Sequence, residues 1–244
     1  MERMPVVGKS RQCCGEMGVF RCVEVVCGRT SCVCSTYRIQ SKRRVGGRRA
    51  EGGDAATVQE VVSEVAERLD SDLIRRSDSG VVLRADGHAV VMRWGYGRDF
   101  NAAIPNARAD RLQAGMWKAS YAGRRCAIPM SLFYEWGAGA VGGVRKTAYA
   151  FRDPGGGYLW AAGLWELHPE WGPCYAMITT EASPLMAPVH DRMPALLRPE
   201  AVAQWLRSTG DWPFRAYDGP LAAAACESPL LGGRGQGGEQ MELF

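Results

Sequence analysis

An α+β domain built on a largely antiparallel sheet is the fold this sequence predicts, and three observations predict it. Short β-rich runs outnumber helical segments. Gly and Pro punctuate those runs at close intervals. No strand–helix–strand alternation and no Gly-rich phosphate loop occurs. The chain has 244 residues, 46% of them hydrophobic, which is enough for one large domain with a sizeable core.

Taken in order, residues 1–26 have no period of 2 or 3.6. Residues 41–54 (SKRRVGGRRAEGGD) are basic and Gly-rich and read as a loop. Residues 57–69 give an amphipathic helix, with Val58, Val61, Val62, Val65 and Leu69 on one face. Residues 81–94 read as a β-hairpin turning at Asp86-Gly87. A helix is expected from Ala109 to Ser120, with Leu112 and Met116 on its apolar face. Strands follow in RCAIP, LFYEW, TAYAF, YLWAAGLW and CYAMITT. Pro199 suits the first position of a helix reaching Leu206. From Ser228 the chain is Gly-rich, like a linker, and it ends in QMELF.

Composition narrows the function classes. There is no run of about 18 apolar residues and no apolar stretch of secretory type near the start. A membrane span and an export signal are therefore not expected. The formal net charge of +4 suits nucleic-acid binding without demonstrating it. Nine cysteines are present, and six of them (Cys13, Cys14, Cys22, Cys27, Cys32 and Cys34) crowd the first 34 residues. Without an export signal a disulfide framework is not expected. Their spacings do not match zinc pairs, and the first His is His88, so no metal and no cofactor is expected.

Four segments hold polar residues that packing does not readily explain. They are Cys27-Gly28-Arg29, Asn106-Ala107-Arg108-Ala109-Asp110, Phe133-Tyr134-Glu135-Trp136 and His190-Asp191-Arg192-Met193-Pro194. Each has a bland reading. Glu135 can face solvent from a strand, His190 can be a structural histidine, and Asn106 can cap a helix. The ordered set, with RRCAIPMSLFYEW at 124–136, TTEASPLMAPVHDRMPALL at 179–197 and WGY at 94–96, resembles the SOS-response-associated peptidase family. The resemblance runs from Cys27 to Leu206.

That resemblance implies a single domain, residues 27–220, with an antiparallel, barrel-like sheet flanked by helices. It also implies a monomeric, cytoplasmic, nucleoid-associated protein that senses abasic sites in single-stranded DNA. Cys27 would form the covalent bond, Asn106 and Glu135 would support it, and His190 would handle protons. Arg29, Arg108, Arg192 and Trp94 would line the DNA cleft. The ring chemistry needs a free amine on Cys27, whereas the nitrogen is an amide while residues 1–26 precede it. These residues are therefore expected to be a disordered extension that is removed or not translated, with initiation at Val26 as the simplest route. Residues 221–244 are expected to be a flexible tail. Its Gln240, Leu243 and Phe244 resemble a peptide that binds the replication sliding clamp. Two rivals remain: an N-terminal-nucleophile amidohydrolase or peptidase, and a DNA-binding module without catalysis.

Overall fold

Backbone pairing closes five strands into a barrel, and the order of elements shows how. The computed structural model describes residues 35–41, 57–137 and 147–230. Along these residues run β1 (Thr36–Arg38), α1 (Val58–Ala66), β2 (Leu73–Arg75), β3 (Ser79–Arg84), β4 (Ala89–Trp94), β5 (Tyr96–Arg98), β6 (Asn101–Ile104) and β7 (Asn106–Arg108). Then come α2 (Lys118–Gly123), β8 (Arg125–Met130), β9 (Leu132–Trp136), β10 (Ala148–Arg152), β11 (Leu159–His168), β12 (Gly172–Glu181), β13 (Arg192–Pro194), β14 (Leu196–Leu197), α3 (Val202–Arg207) and β15 (Ala222–Cys226). Strand β12 pairs with β11, β11 with β8, β8 with β3, and β3 with β4. Strand β4 returns to β12 in the ring's one parallel pairing. The α+β, largely antiparallel, barrel-like architecture is the expected one.

The registers decide what fills the barrel. Val82, Met92, Trp94, Cys126, Ile128, Tyr175 and Met177 share one face, and all are buried. In a five-stranded barrel that face has room only for interlocking side chains. Gly163 lies among them because a β-carbon there would stand 2.8 Å from Ile128 Cδ1 and 2.9 Å from Cys126 Sγ. Gly80 has the same role, since a β-carbon would collide with the hydroxyls of Tyr37 and Tyr175. Those two hydroxyls hydrogen-bond at 2.5 Å. Tyr37 belongs to β1, in a second, antiparallel sheet ordered β15–β10–β9–β1–β2. In that sheet Phe133 stacks on Phe151, with ring centroids 5.0 Å apart.

The helices pack outside the barrel strands. Thr57 and Glu60 form a reciprocal capping box that starts α1. Pro199 opens a 3-10 turn that leads into α3, where the Trp205 indole donates to the Cys126 carbonyl at 2.8 Å. Arg125 sits between the rings of Tyr121 and Trp205, 4.3 and 4.4 Å from their centroids. No helix among the described residues is long and apolar enough to cross a membrane.

Two expectations are corrected. The helix expected over 109–120 is instead a 3-10 turn (Ala109–Arg111), a break, a second 3-10 turn (Gly115–Trp117) and then α2. Gly115 adopts φ +57°, outside helical geometry, so the apolar spacing of Leu112 and Met116 does not come from one continuous helix. The folded region also continues past residue 220, because β15 pairs with β10 over Ala222–Cys226.

Candidate functional site

The end of β12 beyond its pairing with β4 organises the candidate site. Strand β7 pairs there in parallel, setting Asn106 beside Met177 and Arg108 beside Thr179. On the other side, β13 sets Thr179 against Pro194 and Glu181 against Arg192. Side chains two residues apart on a strand share a face, and so do directly paired residues. Asn106, Arg108, Thr179, Glu181 and Arg192 therefore lie on one face. The intervening Ala107, Ile178, Thr180 and Met193 are buried on the other.

Local structure fixes each of these residues. The carbonyl of Pro105 accepts from the Met177 N–H at 2.8 Å and from the Trp94 indole N–H at 2.9 Å, which anchors the start of β7 and hence Asn106. The segment between β12 and β13 folds back in a series of turns. Met186 and Ala187 donate to the Ser183 carbonyl, His190 donates to the Met186 carbonyl, and Ala182 donates to the Asp191 carbonyl. Met186 is fully buried and pins this loop, which carries His190.

The two ring nitrogens of His190 have different surroundings. Its Nδ1 lies 2.9 Å from the Arg192 backbone nitrogen. Nδ1 also lies 3.2 Å from the Arg192 carbonyl, an acceptor, so its backbone contacts fit either tautomer. Asp191 Oδ1 is 3.0 Å from Nδ1, and the Asp191 side chain is 81% exposed. The imidazole is only 9% exposed, and Nε2 has no partner among the described residues. A buried ring nitrogen without a partner costs free energy, whether it is donor or acceptor, and such an atom is a candidate to receive another group.

The charges nearby are balanced. Arg192 donates through Nη2 to the Thr179 carbonyl at 2.6 Å and to its hydroxyl at 3.1 Å. Burial, then the neighbouring Arg108 guanidinium, lowers its affinity for its proton. Arg108 and Asp110 form a fork, Nε to Oδ1 at 3.0 Å and Nη2 to Oδ2 at 2.9 Å, which holds the Asp110 carboxyl below the usual carboxylate range. Glu135 lies on β9 of the second sheet. It is buried, on the same strand face as Phe133, and its Oε1 accepts the Trp136 N–H at 3.1 Å.

The structure thus brings together Asn106, Arg108, His190 and Arg192, while Glu135 is carried by another sheet. Cys27, Arg29, Gln240, Leu243 and Phe244 lie outside the described residues. Trp94 is corrected: it is fully buried, lies edge-on to Tyr37 at 5.1 Å and stacks on Tyr175 at 6.2 Å. It offers no face to a base, and its contribution is to hold Pro105 beneath Asn106. Thr179 was missed by the sequence reading. The available signal was its place in β12, two residues after Met177. Among the described residues no group of three His, Cys, Asp or Glu side chains is placed to hold a metal ion.

The family model described as SOS response associated peptidase (SRAP) matches residues 26–227. The chain belongs to this family. Among curated relatives, the abasic site processing protein YoqW of Bacillus subtilis is 31% identical over 118 residues, which is 46% of this chain and 52% of that protein. The abasic site processing protein YoaM, also from Bacillus subtilis, is 29% identical over 119 residues, covering 46% of this chain and 51% of that protein. The matched region thus spans about half the length of these relatives. Two solved structures share the fold. A Bordetella bronchiseptica protein superposes with a TM-score of 0.61 at 22% identity, over 80% of this chain and 100% of that one. A Bacteroides thetaiotaomicron protein does so with 0.59 at 19% identity, over 70% and 85%. Membership of the SRAP family agrees with the four ordered blocks from which the resemblance was read.

Proposed function

We propose that this chain processes abasic sites in single-stranded DNA, capturing them in a covalent bond to Cys27. The observation that carries the reading is the buried His190 imidazole. Its Nε2 is buried without a partner among the described residues, on the loop that leads into Arg192, in a chain whose curated relatives are named for abasic-site processing.

The opened abasic sugar presents an aldehyde at C1′. The α-amine of Cys27 adds to it, a hydroxyl leaves as water, and an imine forms. The thiol then adds to the imine carbon and its proton passes to nitrogen. This closes a five-membered thiazolidine with the net loss of one water and no redox change. An α-amine with a pKa of about 7.7–8.0 is unprotonated to roughly a tenth or more at neutral pH, which supplies the nucleophile. His190 donates from Nε2 to the ring oxygen as it leaves C1′. Glu135 relays the proton between amine and departing hydroxyl, and Asn106 orients the amine or thiol. Arg108 and Arg192, with Arg29, bind phosphates, so binding is sequence-tolerant and salt-sensitive.

The amine of Cys27 must be free. Initiation at Val26, with removal of the initiator methionine, provides it. Self-cleavage of the Val26–Cys27 amide, the one peptidase activity this reading requires, is the second route. The start of the family match at residue 26 supports a domain that begins there. The tail, through Gln240, Leu243 and Phe244, tethers the protein to the sliding clamp by inserting its apolar side chains in a pocket.

The test is a denaturing gel. A chain starting with methionine in place of Val26 is mixed with single-stranded DNA holding one abasic site. A heat-stable shifted band that is absent in Cys27→Ala supports the reading. No band, from folded protein whose first residue is verified as Cys27, refutes it and favours a binding or hydrolytic role.

A further inference from the structure

The fork between Arg108 and Asp110 bears on how tightly this site holds undamaged DNA. Asp110 sits two residues beyond Arg108, at the 3-10 turn that ends β7, and both oxygens of its carboxylate engage the guanidinium. A phosphodiester offers the same two-oxygen edge, and the same donors would receive it. Both side chains are more than half exposed, 56% and 53%, so the ion pair opens at small cost. Arg192 is already committed to the Thr179 carbonyl and hydroxyl. Displacing Asp110 would free the Nε–Nη2 edge of Arg108 at this end of β12. The surroundings are electrically balanced: Arg108, Arg111 and Arg192 face Asp110, Asp191 and Glu181.

We propose that Asp110 is a built-in competitor for phosphate at Arg108. It holds down the affinity for undamaged single strands, so that retention depends on the covalent step. The inference rests on the DNA-processing reading given above. A carboxylate tethered two residues away is present at high effective concentration, so a phosphate that approaches the Nε–Nη2 edge of Arg108 must displace it. Because Arg108 holds the Asp110 carboxyl below the usual range, the competitor is charged throughout neutral pH. The competition disappears only as pH falls through that lowered value.

Fluorescence anisotropy with the full chain and a labelled single strand free of abasic sites tests this, between about 50 and about 200 mM NaCl. Asp110→Asn is expected to bind about three- to fivefold more tightly at the lower salt. Its salt dependence should steepen by roughly one phosphate contact, about 0.7 in the logarithmic slope. In an Arg108→Gln background the same substitution should give no gain. A gain of equal size in both backgrounds would make Asp110 a diffuse negative charge and overturn the proposal, as would no gain in either. If the parent chain and all variants fail to bind the strand, the nucleic-acid reading falls and this inference with it. Binding by all of them without difference removes only the role of Asp110.

Discussion

In the proposed function His190 is the proton donor, and its Nε2 is buried without a partner among the described residues. His190→Gln is expected to slow crosslinking by roughly 10²-fold or more in a single-turnover time course at saturating abasic DNA. A loss under about threefold would remove His190 from the reaction. Cys126 behaves in the opposite way to a nucleophile: burial alone pushes its thiol well above the ordinary thiol range. In the folded protein iodoacetamide should leave Cys126 unmodified, and it should react only after denaturation. Asn106, Arg108, His190 and Arg192 were picked out through the resemblance of four ordered blocks, and the pairing of β7, β12 and β13 sets Asn106, Arg108 and Arg192 on one face. Trp94 was misread for a physical reason. A tryptophan that ends a strand looks the same whether it faces solvent or a barrel interior, and only closure of the barrel decides.

Among the elements, the barrel strands depend on two glycines with no room for a methyl. Gly163→Ala should lower stability by about 1–3 kcal/mol, read as a lower midpoint in urea, because Ile128 Cδ1 and Cys126 Sγ already occupy the space. Thr57→Ala, which breaks the capping box of α1, should cost about 1 kcal/mol. No measurable loss for Gly163→Ala would mean the barrel interior yields more readily than its packing implies. The hairpin of β3 and β4 was legible because its Asp-Gly turn sits between two Val-rich runs, and Gly87 does adopt φ +81°. The three-residue strands β1, β2, β5, β7 and β13 were not, since so few residues show no period. The helix expected over 109–120 failed at Gly115, whose left-handed conformation interrupts an otherwise suitable apolar spacing.

For the whole molecule, the barrel and the second sheet present residues of distant sequence on a few strand ends. That assembly cannot be read from any one segment, although the order of the four blocks pointed to it. The far edge of the second sheet is β15, so a chain ending at Pro220 leaves β10 uncovered and should melt at lower temperature than one ending at Leu230. Equal melting temperatures would show that β15 contributes little. Covalent capture through the amine and thiol of Cys27 is the step on which the proposed function rests. Its most direct test is mass spectrometry of the crosslinked, trypsin-digested protein, because cleavage after Arg29 releases the short peptide Cys27–Arg29. The expected product is that peptide carrying the abasic sugar minus one water, with neither amine nor thiol left free. The sugar attached to a lysine such as Lys118, or to no peptide at all, would contradict it.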